Sequence, residues 1–247
     1  MHAGKVVLLD HTYNPIRTVA NAFRTCRMET PPWEQEFTRE DDIELIKRCL
    51  PAGHKVPLEQ CVFTFGLSGQ SRAFSAQFLR SRLTSPVQQS QRAVTPSLDN
   101  AVIPAEYWRI LFEGAYSIAS AVYDDLLSRG VPKEDARYVL PMGTASNIQI
   151  TMNLAEFIHI CNERLCNKTQ EEYKLTVLQM CQSLFVLGED FNSLFRPYFE
   201  PKCGISANGF CKEAAPCLHL RKSVPTRKEF LAWRARRSPR EALEDTE

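Results

Sequence analysis

Apolar and polar positions alternate from Cys61 to Ser68, with Cys61, Phe63, Phe65 and Leu67 set against Val62, Thr64, Gly66 and Ser68. A period of two marks a half-buried strand, here closed by Ser68-Gly69-Gln70. Upstream, Lys5 to Leu9 is a short aliphatic run stopped by Asp10, which predicts a first strand that then enters a loop. Thr38, with Asp41 three residues on, predicts a capped helix through Ile43, Ile46 and Leu50 that closes near Pro51 and Gly53. Residues 72–83 read as a helix with Phe74, Phe78 and Leu79 turned inward, so Gln77, Arg80 and Arg82 fall near its C-terminal end, where Ser85 and Pro86 stop it. The proline-, glutamine- and serine-rich residues 84–105 then predict a long loop able to lie over a ligand.

From Trp108 onward, Leu111, Ala115, Ile118, Val122 and Leu126 recur at three- and four-residue steps, the stripe of an amphipathic helix expected to serve as core scaffold and ended by Gly130 and Pro132. Glu134 and Asp135 open a short helix stopped by Pro141. Asn153 with Glu156 starts another, running to about Cys166, and residues 170–187 make a third before Gly188. With strands mainly in the first half and helices in the second, the pattern is α+β, a mixed α/β fold without internal repeats.

Length changes this picture little, because 247 residues with 44% hydrophobic content can bury one sizeable core. Charge changes it more. Thirty basic against 29 acidic residues leave no global field to draw nucleic acid or an anionic membrane, so anion binding must be local. Nine cysteines follow an N-terminus with no signal-peptide pattern, and no segment is long and apolar enough to span a bilayer, which points to reduced thiols in the cytoplasm. In the tail, Cys203, Cys211, Cys217 and His219 lack the short Cys-x-x-Cys spacing of a zinc knuckle, so a turn-rich tail is favoured over a metal site. Residues 221–247 read as a basic end carrying Phe230, Leu231 and Trp233.

Candidate chemistry centres on residues 77–92, where Arg80, Arg82 and Arg92 flank a proline-broken segment with Gln88 and Ser90. Guanidinium forks bind phosphate oxygens in pairs, and with Arg164 and Lys174 there is charge enough for a pyrophosphate and a separate monophosphate. Pairing with surface acids is the plain alternative for each. No glycine-rich loop follows a strand and no nucleophile elbow surrounds Ser90. His54 and His159 sit among apolar neighbours as structural histidines do, while Glu59 and Glu172 are candidate acid–base groups or exposed carboxylates. Many cations and no activated nucleophile fit chemistry carried by a bound cofactor.

Arg80-Ser81-Arg82, seven residues, then Ser90 resembles the Arg-His-Arg, seven residues, Ser motif of the flavin-dependent thymidylate synthases. The blocks from Gly53 and His54 through Glu59 to Phe65, from Ala136 to Pro141, and from Asn162 and Arg164 to Gln170 and Lys174 follow in the family's order, and Arg24-Thr25-Cys26 is similar to its early Arg-Thr-Cys. The resemblance covers roughly residues 20–220, which implies one catalytic domain over 1–220 ahead of the tail 221–247. It further implies a ThyX-like fold assembled as a homotetramer with active sites between subunits. The implied activity is methylation at C5 of a uracil nucleotide, dUMP or UMP, with FAD as cofactor and NADPH and methylenetetrahydrofolate as co-substrates.

By position, the resemblance implies that His54, Glu59, Arg80, Ser81, Arg82, Asn162 and Arg164 hold the flavin. Gln77, Gln88, Ser90, Arg92 and Lys174 would surround the nucleotide, with Arg82 and Ser90 at the reacting centre. Ser81 and Gln60 stand where the family has histidines, Gln88 where it has glutamate, and Asn147 and Lys174 where it has arginines. Such changes fit a substrate with a ribose in place of deoxyribose, as in members that serve nucleoside-antibiotic pathways, or a non-catalytic relative that binds a nucleotide or partner protein.

Overall fold

A computed structural model describes residues 4–104 and 108–202. The tail residues Cys203, Cys211, Cys217 and His219 and the basic end 221–247 lie outside the described residues. The chain divides into two compact units, one of Met1–His11, Val62–Asn153 and Gln170–Leu184, the other of Thr12–Cys61, Leu154–Thr169 and Phe185–Glu247.

In the first unit, β1 (Lys5–His11), β2 (Val62–Ser71), β3 (Thr84–Gln88) and β4 (Ala145–Asn153) form one antiparallel sheet in the order β1-β2-β4-β3. The alternation read from Phe63, Phe65 and Leu67 holds, since all three are buried. β2 runs on to Ser71 through an irregularity between Leu67 and Gln70, where Gly69 takes a φ of +71° that side chains resist. β4 corrects the expectation that strands belong mainly to the first half: it is an inner strand, with Ser146, Ile148, Ile150 and Met152 buried at every second position.

Residues 84–105 are also not all loop. Thr84–Gln88 is an edge strand, where Pro86 is tolerated because an edge leaves one row of backbone groups unpaired. The helix expected over 72–83 ends sooner: α3 is Arg72–Phe78, and Leu79 is exposed. Ser71 caps α3 by accepting from the Phe74 N–H at 2.9 Å. Phe74 and Phe78 stack on each other and meet the edge of Tyr173 from α7 (Glu171–Ser183), with centroids 5.0 and 5.6 Å apart.

The helix α4 (Arg109–Ser128) has the expected span, and the core role assigned to its stripe is corrected: Trp108, Leu111, Ile118 and Val122 are exposed, and only Tyr116 and Tyr123 are buried among its residues. It packs beside the short α5 (Lys133–Ala136). Tyr116 donates to the Val102 carbonyl at 3.1 Å, and Gly143 passes so close to both that a Cβ there would collide with the phenol.

The second unit is helical. The loop expected after the first strand begins a helix, α1 (Pro15–Thr25), capped by the Asn14 side chain on the Arg17 N–H at 3.2 Å, with Pro15 in its first turn. Its stripe Ile16, Val19, Ala20 and Phe23 is buried. α2 (Arg39–Cys49) carries the predicted capping box of Thr38 and Asp41. It packs against α1 and against α8 (Glu189–Phe195). α6 (Leu154–Arg164) and the 3-10 turn Val56–Gln60 complete the unit. Asp42, only 2% exposed, binds Arg24, itself 6% exposed, at 2.5 Å and also Arg17. Arg24 further lies 3.6 Å from the Phe37 ring centroid.

No helix among the described residues is long and apolar enough to cross a membrane, and no described cluster of His, Cys, Asp and Glu would hold a metal.

Candidate active site

The candidate residues divide between the units. Gln77, Arg80, Ser81, Arg82, Gln88, Ser90, Arg92 and Lys174 belong to the sheet unit, and His54, Glu59, Asn162 and Arg164 to the helical one.

Within the sheet unit, α3 packs on α7, and Gln77 and Lys174 each bond Gln170. The Gln77 amide donates to the Gln170 side chain, and Lys174 closes the first turn that starts at Gln170, its N–H donating to that carbonyl at 3.1 Å. Beneath them lies Glu172, 2% exposed, which accepts from the Ser71 N–H at 2.7 Å and from its hydroxyl at 2.6 Å. The carboxylate is thereby committed to anchoring the start of α3, so the acid–base role considered for Glu172 is set aside. Arg80 and Arg82 follow α3 on exposed turns and make no ion pair with any described residue. Arg92 reaches Glu134 at 3.5 Å.

At one end of the sheet the strand ends, the segment 89–103 and α4 enclose a half-open cavity of about 890 Å³, within the ~300–1,000 Å³ range of small-molecule sites. Ser90 and Asn147 line it. Gln88 is not among its lining residues: its amide donates to Ser146 Oγ at 2.9 Å, and the next residue, Gln89, lines the cavity. Asn147 is held on three sides. Its side-chain oxygen accepts from the Gly69 N–H at 3.3 Å, its N–H donates to the Gln89 side chain at 3.2 Å, and its carbonyl accepts from the Gln89 N–H at 2.9 Å. Gln89, Lys5, Ser117 and Ser120 are cavity residues that motif reading missed. Period two along β1 and β3 and the i, i+3 step on α4 would have put them on shared faces, but only once β4 was recognised.

In the helical unit, Asn162 donates to the carbonyls of Tyr198 and Glu200, both at 3.0 Å, and so ties α6 to the 3-10 turn Arg196–Tyr198 and the residues after it. His54 is exposed and within 3.1 Å of an Arg27 guanidinium nitrogen, and Glu59 is exposed. This corrects the expectation of a structural histidine among apolar neighbours. Glu156 sits in the first turn of α6, and burial raises its carboxyl above the usual range against a smaller opposing pull from His159. Arg82 and Arg80, exposed and without an ion pair among the described residues, are of the right chemistry for a pyrophosphate-bearing cofactor such as FAD.

Comparison with known proteins gives first the fold and then the family. A solved structure, the UMP/dUMP methylase PolB from Streptomyces cacaoi bound with 5-Br dUMP, superposes with a TM-score of 0.67 at 20% identity over 78% of this chain and 94% of that one, so the two share a fold. The family model described as thymidylate synthase complementing protein matches residues 7–185. A flavin-dependent thymidylate synthase from Geobacter sulfurreducens is 37% identical over 185 residues, covering 71% of this chain and 80% of its own length. Another, from Pyrococcus abyssi, is 34% identical over 191 residues, covering 73% and 78%. The chain belongs to this family, the flavin-dependent thymidylate synthases, and is an enzyme of the flavin-dependent methyltransferase class.

Proposed function

We propose that the protein methylates C5 of a uracil nucleotide, dUMP or UMP, taking the carbon from methylenetetrahydrofolate and reducing equivalents from NADPH. The observation that carries this reading is the family match across residues 7–185, which spans every candidate residue named above. Arg80, Ser81 and Arg82, and His54, Glu59, Asn162 and Arg164, are the residues that would hold FAD. When bound, it supplies the hydride that turns the transferred one-carbon unit into a methyl group. Arg82 offsets the negative charge of the cofactor at the reacting centre, where Ser90 orients the nucleotide through its hydroxyl. Gln77, Gln88, Arg92 and Lys174 bind the rest of the nucleotide, and neutral Gln88 alters what the sugar and base meet.

The working form is a homotetramer with sites shared between subunits. The exposed stripe Trp108, Leu111, Ile118 and Val122 on α4 supports this, because an apolar helix face left in water is a usual mark of an interface. The structural neighbour is a methylase of both UMP and dUMP, which motivates assaying both.

The purified protein should be yellow and should convert dUMP, UMP or both to a 5-methyl product. Arg82→Ala should lose flavin or turnover, whereas Lys174→Ala should chiefly raise the nucleotide KM. Colourless protein that FAD does not reconstitute, with no 5-methyl product from either nucleotide, contradicts the reading.

A further inference from the structure

We infer, on the basis of the nucleotide-methylation reading above, that Lys5 binds the substrate phosphate in the cavity at the end of the sheet. Register places it. Lys5 stands opposite Ser68, and Asn147 falls between Ser146, paired with Gln70, and Ile148, paired with Leu67. Lys5, Ser68, Asn147 and Gln89 therefore form a row across the sheet, and all four line the cavity. Lys5 and Asn147 lie two strand spacings apart, roughly 10 Å, a gap that a phosphate and a four-carbon lysine stem can bridge together.

Charge singles Lys5 out. The cavity's charged lining comprises Lys5, Arg109, Asp99 and Glu113. Arg109 is paired with Glu113 at 3.1 Å, and Asp99 accepts from the Ser97 hydroxyl at 3.0 Å. Lys5 is exposed and makes no ion pair with any described residue. Asn147 brings no charge, and its side-chain oxygen is taken by the Gly69 N–H. An anion entering this cavity thus meets one uncommitted cation from the described residues, on the first strand.

The test is steady-state kinetics of the full-length, flavin-loaded enzyme with its preferred nucleotide, for wild type, Lys5→Gln and Lys5→Arg. Lys5→Gln should raise the nucleotide KM about tenfold, the size expected for losing one charge-assisted hydrogen bond, with kcat and flavin content held. Lys5→Arg should stay close to wild type because the charge remains. An unchanged KM in Lys5→Gln overturns the assignment, as does an equal loss in both variants, which would mean that lysine packing and not charge matters. A wild-type enzyme that neither binds nor converts a uracil nucleotide sinks the functional reading itself, a result distinct from either.

Discussion

The two units solve different problems with the same kinds of residue. In the helical unit arginines are spent inward: Arg24 and Arg17 close on buried Asp42, and Asn162 ties α6 to the carbonyls of Tyr198 and Glu200. In the sheet unit Arg80, Arg82 and Lys5 are left facing solvent without acidic partners among the described residues, and Lys5 lines the cavity under the exposed apolar helix α4. A cation's burial and partners, not its presence in a motif, separate scaffold from candidate binding group. Arg24 shows this well, since its segment resembles a family motif while its guanidinium is fully engaged in the fold.

The sharpest way to break the contrast is to remove the helical unit's buried acid. Asp42→Ala leaves Arg24 buried and unpaired, and should lower stability by about 3–5 kcal/mol, a large share of the ~5–15 kcal/mol typical of a whole protein. Chemical denaturation of the purified variant measures it; a change below about 1 kcal/mol would mean the pair is not structural. Next comes Ile118→Glu on the exposed face of α4, which should leave the fold intact by circular dichroism while lowering the assembly state seen by light scattering. An unchanged mass would remove that face from the interface.

A smaller effect belongs to the cap of α2. Thr38→Ala should destabilise by about 1 kcal/mol, and the loss should depend on pH. The Thr38 N–H, and then its hydroxyl, hold the Asp41 carboxyl below its ordinary 3.8. A depressed carboxyl stabilises the fold above its unfolded value and loses that contribution as pH falls through the folded one, so the part of the difference carried by the hydroxyl–carboxylate bond should shrink as pH falls below 3.8. Parallel stability curves down to the acid transition would contradict this.

The smallest effect is chemical. Burial pushes the Cys61 thiol up from 9.0 to about 12, so it should resist alkylation at neutral pH while exposed Cys26 reacts, as peptide mass mapping would show. Because the folded thiol holds its proton more tightly than the unfolded one, its contribution to stability is complete below pH 9 and is lost between about pH 9 and 12.

Much of this arrangement was legible in the chain. Alternation at Phe63, Phe65 and Leu67, the Thr38–Asp41 cap and the helix at 109–128 are local signals, and the structure carries all three. The family motifs were legible for the same reason, as short spacings that folding does not alter. Asn14-Pro15 and the Ile16, Val19, Ala20, Phe23 stripe were equally local signals of α1 and went unread. What was hidden needs partners distant in sequence. Thr84–Gln88 becomes a strand because β4 lies beside it, and the Lys5, Ser68, Asn147, Gln89 row exists only through strand register. The stripe on α4 shows the opposite failure, since periodicity reports a face that avoids water without saying which surface covers it.

One anaerobic single turnover tests the central claim most directly: the enzyme's flavin is reduced beforehand, then mixed with a uracil nucleotide and methylenetetrahydrofolate labelled with 13C in the methylene group. The account predicts that flavin absorbance returns as one equivalent of 5-methyl nucleotide carrying the label appears. Flavin that stays reduced, with the nucleotide recovered unmethylated, would contradict it.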